Sequence, residues 1–217
     1  MYRFLKRSFD VLLSLLGMIV TSPLWLIGVI GIKLSDPGPA FYLANRVGKD
    51  DKVFKMYKFR SMRQGKANEA VFRGDENRIF PFGAFIRATK IDELPQLINI
   101  FQGSMSIVGP RPAAVDQMSV VRAGKYAVVS KATAGLTGPS ALYDYIYGDT
   151  IEDAEDYEKL VLPTRLQLDL YYVNHMSLLA DLKWIWYTVL CIMYTVLKKQ
   201  PQKILDELLC LAAQAES

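Results

Sequence analysis

The longest apolar run in this chain lies near its N-terminus, where residues 11–32 contain no charged side chain. As a single helix this run would be about 33 Å long, which is enough to cross the hydrocarbon core of a bilayer. Ser22 and Pro23 lie near its middle, and a proline there removes a backbone hydrogen bond and bends the helix. Basic residues flank both ends of the run, so both ends are expected on the same side of the membrane. A hairpin would satisfy this charge pattern if it enters the membrane, breaks at Ser22–Pro23 and returns. A kinked spanning helix is the alternative.

Shorter segments of β-branched and aromatic residues follow the apolar run. They lie at 40–43 and 53–62 and predict two strands, followed by a surface loop or short helix at 64–78. Alternation along the second strand places Lys58 and Arg60 on the same face. These two cations predict either a basic edge of a binding site next to an apolar surface, or an ordinary strand face that is exposed to solvent.

The C-terminal half predicts helices and loops. Residues 134–139 are typical of a loop, and residues 143–157 mix tyrosines with acids, which indicates a surface element. A helix is expected to start at Ser177. Its apolar stretch 184–197 is too short to span a bilayer, so it predicts a helix at the membrane interface or in the core. Residues 202–213 predict a last amphipathic helix that covers either a neighbouring subunit or the domain itself.

Composition and charge narrow the classes of function. With a net charge of +4 and a pI near 8.9, the chain suits an anionic partner such as a phosphorylated substrate, an anionic lipid surface or a nucleic acid. The sequence has one histidine, His175, and its two cysteines show no C-x-x-C spacing, so a Ser-His-Asp triad and a histidine-rich zinc site are poorly supported. No P-loop or dinucleotide fingerprint occurs, and the dispersed basic residues do not indicate nucleic-acid binding.

The segment 92–103 carries the clearest candidate chemistry. Apolar residues recur there with helical spacing and predict an amphipathic helix that begins at Asp92 and ends at Gly103. These apolar residues are Leu94, Leu97, Ile98 and Phe101. Pro95 fits the first turn, where free N–H groups and the helix dipole would hold Asp92 and Glu93 ionised, ready to attack phosphorus or to hold a cation. Because aspartate is also a favoured N-cap, a capping role is the alternative.

Several motifs together resemble a known family, because their order and spacing match over most of the chain. They are Ser22-Pro23, Asp36-Pro37-Gly38-Pro39 with Phe41-Tyr42, Lys58-Phe59-Arg60-Ser61-Met62, Ile86-Arg87, Asp92-Glu93-Leu94-Pro95-Gln96-Leu97, Gly109-Pro110-Arg111-Pro112 and Leu168-Asp169-Leu170-Tyr171-Tyr172. With these motifs the chain resembles the bacterial monotopic phosphoglycosyl transferases, the small polyprenyl-phosphate sugar-1-phosphate transferases. The resemblance implies transfer of a sugar-1-phosphate from a UDP-sugar to polyprenyl (undecaprenyl) phosphate, with release of UMP, as the first membrane step of bacterial glycoconjugate assembly.

The resemblance also implies roles for individual residues. It makes Asp92 the nucleophile, which forms a covalent aspartyl-phosphosugar intermediate, and Glu93 its catalytic partner, with both carboxylates available to hold Mg²⁺. A hard cation with oxygen ligands, together with arginines, neutralises the charge on the leaving phosphate. The implied substrate-binding residues are Lys58, Arg60, Arg87, Pro110, Arg111, Pro112 and Asp169, with Arg111 near the nucleotide.

For the fold, the resemblance implies the α+β class: a compact, mostly helical domain with short strands, anchored by the re-entrant hairpin and by interfacial amphipathic helices. The expected divisions are a membrane hairpin at 1–34, a catalytic domain at 35–200 and a C-terminal amphipathic helix at 201–217. The implied topology is monotopic, on the cytoplasmic face of the bacterial inner (plasma) membrane. Membrane lipid is then a partner, nucleic acid is not, and a homodimer is compatible with the pattern.

The chain departs from the family pattern at 133–138, where many relatives have Arg-Pro-Gly-Ile-Thr-Gly, and it lacks the Asn-Gly-Arg that often follows. An acidic, tyrosine-rich segment after Pro139 takes that place, so the motifs do not identify the sugar. Two other interpretations of function stay open: a non-catalytic membrane scaffold, and an ordinary glycosyltransferase that releases UDP.

Overall fold

The computed structural model describes residues 2–63, 78–151 and 153–215, and it has the predicted α+β character, mostly helical with short strands. The helices are α1 (Tyr2–Val20), α2 (Ser22–Ser35), α3 (Pro81–Ala88), α4 (Gln96–Gln102), α5 (Met118–Val121), α6 (Pro139–Ile146), α7 (Ala154–Asp156), α8 (Leu162–Asn174), α9 (Leu178–Val196) and α10 (Gln202–Gln214). The strands are β1 (Phe41–Val47), β2 (Val53–Phe59), β3 (Ser106–Val108), β4 (Ala113–Ala114) and β5 (Gly135–Thr137). The predicted loop at 64–78 lies outside the described residues except for Arg78.

The N-terminal apolar run is a helix pair with a sharp break. α1 and α2 are bent by 60° where they meet at Thr21, next to the predicted break. Pro23 lies in the first turn of α2, where its missing N–H interrupts no helical hydrogen bond. Thr21 Oγ1 donates to the carbonyl of Gly17 at 2.7 Å, and Ser22 Oγ donates to that of Ile19 at 2.8 Å. The hydroxyls therefore bond the carbonyls of the last turn of α1, which suits a helix break in an apolar setting.

The bent pair presents large apolar side chains to its surroundings. Those most exposed include Leu12, Leu16, Ile19, Val20, Leu26, Ile27 and Leu34. Within the described residues, the pair taken together and α9 taken alone are long and apolar enough to cross a membrane. A contiguous apolar surface of this kind is typical of an element that contacts a membrane or a partner.

α9 has nearly the predicted bounds. The helix starts after Ser177 as predicted, but its apolar part was expected to begin at Trp184, beyond the charges of Asp181 and Lys183. Asp181 lies in the first turn of the helix, and its carboxylate is buried and hydrogen-bonded. The groups that donate to it are Tyr2 Oη, Lys6 Nζ and Tyr172 Oη. The stretch 184–197 alone stays too short, but the whole of α9 is long and apolar enough to cross a bilayer, which the prediction did not consider.

The strands form two small sheets. β1 pairs antiparallel with β2 along its whole length, and β4 joins its other edge. β1 continues to Val47 instead of ending at 43, and β2 ends at Phe59 instead of 62. β3 and β5 pair in parallel, so residues 135–137 of the predicted loop are a strand. The loop prediction failed because Gly135, Gly138 and Pro139 surround only two residues with side chains suited to a strand, and the pairing partner is distant in sequence.

The two ends of the segment 143–157 belong to the core, so its prediction as a surface element was wrong for them and holds only for the exposed residues between them, such as Thr150 and Glu155. Tyr143, Ile146 and Tyr157 are buried against α8 and α10. α10 contributes Ile204 and Leu208 to the same core. In the described structure the last amphipathic helix therefore covers its own domain, which is one of the two predicted alternatives.

Candidate active site

Asp92 lies in a short 3-10 turn, Ile91–Glu93, which precedes α4. The predicted helix start at Asp92 was wrong, because α4 begins at Gln96 with Pro95 as its N-cap residue. Neither the turn nor α4 has a side-chain capping hydrogen bond, so the capping alternative for Asp92 is contradicted. The predicted end at Gly103 is confirmed, since that residue adopts a left-handed conformation with φ 91°.

The Asp92 carboxyl group is buried and only partly satisfied. The residue is 8% exposed, and its Oδ1 has no hydrogen-bond partner within the described residues. Burial, followed by the negative charge of Glu93, raises the pKa of Asp92 to about 6, although the nearby cations Lys58, Lys90 and Arg87 lower it. The expectation that backbone N–H groups hold Asp92 ionised was therefore wrong, and its protonation changes close to neutral pH.

Glu93 has the opposite electrostatic environment. Its Oε1 accepts a hydrogen bond from Lys58 Nζ at 2.9 Å, and both side chains are mostly buried. Burial acts to raise the pKa of Glu93, but the charges of Lys58, Lys90 and Arg111 outweigh it and lower the pKa to about 2. Adjacent carboxylates thus have pKa values pushed apart, as in sites where two acids have different chemical roles.

A cavity of about 1750 Å³ opens onto this pair. Of the predicted residues, its wall includes Lys58, Arg60, Arg87, Arg111 and Pro112 together with Asp92 and Glu93. The side chain of Arg87 has no hydrogen bond or ion pair to any other residue that the structure describes. The cavity therefore combines two carboxyl groups with several cations, an arrangement that suits a phosphorylated ligand.

Arg60 serves mainly to hold a turn. Its guanidinium is 5% exposed and pairs with the Asp36 carboxylate and carbonyl, while Nε donates to the Pro39 carbonyl at 2.7 Å. These contacts join the end of α2 to the end of β2. Although Arg60 borders the cavity, its donors are directed to Asp36 and Pro39.

Two acidic side chains position Arg111, one through its backbone and the other through its side chain. Its N–H donates to Asp169 Oδ1 at 3.1 Å, and its Nε lies 2.8 Å from Asp144 Oδ2. Tyr157 donates to Asp144 at 2.7 Å, and Arg165 donates to the Tyr157 hydroxyl at 2.9 Å. This chain of contacts fixes the side chain of Arg111 at the wall of the cavity.

Two predicted binding residues lie behind the cavity wall instead of on it. Asp169 is 3% exposed and holds the Arg111 backbone, and Pro110 is buried where its carbonyl accepts from Gly135 N at 2.8 Å. Asp144 and Arg165 were not predicted, because no ligand spacing marks them. The signal that was present is the set of acids among tyrosines after Pro139, which had been attributed to a surface element.

Three glycines allow the turn that carries Arg111 to pack closely. A Cβ atom on Gly135 would lie 2.2 Å from Gly109 N, and one on Gly109 would lie 2.3 Å from the Thr133 carbonyl oxygen. Gly138, with φ 155°, likewise approaches the Gly109 carbonyl. The backbones of the two segments can touch only because side chains are absent here.

The site offers a limited set of metal ligands. No cluster of three or more acidic, histidine or cysteine side chains that could hold a metal occurs among the described residues. Mg²⁺ usually uses only one or two carboxylates, with water and substrate phosphates supplying the other oxygens. Asp92, with its unpartnered Oδ1, and Glu93 fit that pattern.

Comparison with known proteins gives consistent results over most of the chain. A family model described as "Bacterial sugar transferase" matches residues 1–195. The UDP-glucose:undecaprenyl-phosphate glucose-1-phosphate transferase of Escherichia coli (strain K12) is 37% identical over 192 residues, covering 86% of this chain and 40% of that protein. An Aeromonas hydrophila protein, UDP-N-acetylgalactosamine-undecaprenyl-phosphate N-acetylgalactosaminephosphotransferase, is 36% identical over 196 residues, 87% of this chain and 43% of its own length.

A third relative is similar in size to this chain. Exopolysaccharide production protein ExoY of Sinorhizobium fredii is 36% identical over 202 residues, covering 85% of this chain and 83% of that protein. The chain therefore spans about two fifths of the two transferases above and most of the exopolysaccharide protein.

Proposed function

This chain belongs to the bacterial sugar transferase family, and from that premise we propose that it transfers a sugar-1-phosphate from a UDP-sugar to undecaprenyl phosphate, releasing UMP. The observation that carries the proposal is the buried Asp92 carboxyl group, which has an unpartnered oxygen and belongs to a residue that borders a cavity lined by cations. Relatives named for this type of reaction act on different sugars, glucose in one and N-acetylgalactosamine in another. The proposal therefore names the class of reaction and leaves the sugar open.

In the proposed first step, Asp92 attacks the phosphorus that bears the sugar. A bond forms between its carboxylate oxygen and that phosphorus, and the bond to the bridging oxygen breaks, with the electron pair leaving on UMP. Lys58, Lys90 and Arg87 are the cations that act on Asp92, and they oppose the negative charge that the substrate brings into the site. The product is an aspartyl-phosphosugar.

In the second step, an oxygen of undecaprenyl phosphate attacks the same phosphorus. The bond to Asp92 breaks and restores its carboxylate, and the product is an undecaprenyl diphosphate-sugar. When bound, Mg²⁺ would neutralise charge on the phosphate oxygens. Asp92 and Glu93 are the side chains available to hold it, and Lys58 keeps Glu93 ionised and oriented.

We also propose that the bent helix pair lies in the cytoplasmic leaflet as a re-entrant hairpin. Its exposed aliphatic side chains support this placement, and a polyprenyl phosphate presents its head group at the same interface. Cysteines introduced at the N-terminus and at Asp50 should then react with an impermeant reagent from the same side of the membrane. Labelling from opposite sides would refute the hairpin.

Replacement of the nucleophile tests the reaction. Asp92→Asn, purified in detergent with Mg²⁺, undecaprenyl phosphate and a panel of UDP-sugars, should show no UMP release above background. Asp206→Asn on α10 is the matched control, because it removes the same charge from an exposed site, and it should retain activity. Normal turnover by Asp92→Asn would overturn the mechanism, while UDP release by the unaltered protein would indicate simple glycosyl transfer.

A further inference from the structure

Arg46 is an arginine on the cavity wall that no motif singled out. It lies in β1 opposite Phe54 of β2 and Ala114 of β4, and its side chain is partly buried. It borders the same cavity as Asp92. Within the described residues, no hydrogen bond or ion pair involves its guanidinium.

Two further arginines, Arg111 and Arg165, border the same cavity as Arg46. Arg165 is 5% exposed, and its Nε is buried without a hydrogen-bond partner among the described residues. Burial, and then the positive charges of Arg111 and Arg165, lower the pKa of the Arg46 guanidinium. The cavity wall thus carries three guanidinium groups, and one of them has an unpartnered buried donor.

The acids around this cluster do not pair with Arg46. Asp144 pairs with Arg111 at 2.8 Å, and Asp169 is the buried acid on which Arg165 acts. For Arg46 the acid that acts in its favour is Asp116, an exposed residue that makes no ion pair with it. A partly buried guanidinium without an ion pair is unfavourable in the free protein, so the Arg46 side chain is available to an anion.

The cluster makes different contacts from the cation that pairs beside the nucleophile. Lys58 contacts Glu93 at 2.9 Å, whereas Arg111 contacts Asp144 at 2.8 Å. Tyr157 donates to Asp144 and accepts from Arg165, so Arg111 and Arg165 belong to one chain of contacts. Both groups of cations border the same cavity. A nucleoside diphosphate has two phosphates in series, which matches two adjacent groups of cations.

We propose that Arg46 and Arg165, together with Arg111, bind the phosphate that departs with the nucleotide. This inference rests on the proposed function, because it assigns the attacked phosphate to the Asp92 side of the cavity. When the bond to the bridging oxygen breaks, the electron pair stays on this departing phosphate and increases its negative charge. Guanidinium groups already in place stabilise that charge more strongly than mobile groups would.

The test is nucleotide binding, measured by calorimetry on the full chain in detergent, because binding is independent of turnover. Arg46→Gln should bind UMP about ten- to a hundredfold more weakly, the range expected for losing a hydrogen bond to a charged group, and should bind uridine as before. Arg3→Gln, which removes the same charge from an exposed position on α1, should leave both affinities unchanged. Arg165→Lys, which keeps the charge at the buried site but loses the Nε donor, should also weaken UMP binding.

The outcomes separate the departing phosphate from the acceptor lipid. Farnesyl phosphate is a soluble phosphate monoester that imitates the acceptor, and its affinity should be unaffected by Arg46→Gln. The assignment would be overturned if Arg46→Gln lost affinity only for farnesyl phosphate. It would also be overturned if wild type and Arg46→Gln bound UMP with equal affinity. If the wild type releases UDP instead of UMP, the proposed function fails, yet weaker UMP binding by Arg46→Gln would still establish the arginine cluster as a phosphate site.

Discussion

Asp92→Asn is expected to stabilise the folded protein at neutral pH while abolishing the proposed reaction. In the folded protein the pKa of Asp92 is about 6, whereas the ordinary value for aspartate is 3.8. The folded state therefore retains a proton that the unfolded chain loses, and stability falls as the pH rises from 3.8 to 6. An asparagine has no charge to desolvate, so the variant escapes that loss.

The size of the effect follows from the difference between the two pKa values. At about 1.4 kcal/mol per pKa unit, the gap between 3.8 and about 6 corresponds to about 3 kcal/mol at pH 7.5. At pH 5, where Asp92 in the folded protein is mostly protonated, the advantage of the variant should shrink to about half of that. For a chain of this length each kcal/mol changes the melting temperature by about 2–4 °C.

The assay is thermal unfolding of wild type and variants in the same detergent at pH 7.5 and pH 5. Glu93→Gln is the matched control with the opposite sign, because the pKa of Glu93 is lowered from 4.5 to about 2 and its charge stabilises the folded state. It should lose about 3 kcal/mol at pH 7.5. The reasoning is refuted if Asp92→Asn lowers the melting temperature at pH 7.5, or if its advantage does not decrease at pH 5.

Two further predictions concern rate and packing. The pH profile of kcat/KM should have an acid limb near pH 6, because the nucleophile must be ionised. A profile that stays flat down to pH 5 would exclude Asp92 as the titrating group. Gly135→Ala should prevent stable folding, because its Cβ would lie 2.2 Å from Gly109 N. At Gly124 a Cβ would have no atom within 4 Å, so Gly124→Ala should lose only about 1–2 kcal/mol of stability, from the strain of a left-handed alanine. Equal melting temperatures for these two alanine variants would contradict the packing argument.

Local patterns in the sequence predicted much of the helical structure. Pro23 predicted the break between α1 and α2, and Gly103 predicted the end of α4, because the restricted φ of proline and the freedom of glycine act within one turn. The start of α9 after Ser177 was predicted for the same reason, since an N-cap needs only its neighbours. By contrast, the start of α4 was misplaced, because a 3-10 turn and a helix share the apolar spacing that was used.

The sequence by itself determined which N-terminal segment is long and apolar enough to enter a membrane and which two carboxyl groups carry the candidate chemistry, because both depend on residues close together in the chain. Only the tertiary structure decided the environment of those groups. It buried Asp92 and paired Glu93 with Lys58 from β2, so that neighbouring acids titrate far apart. It also brought Asp144 from a distant segment to hold Arg111. Burial and charge pairing depend on distance in space, and a linear pattern does not contain those distances.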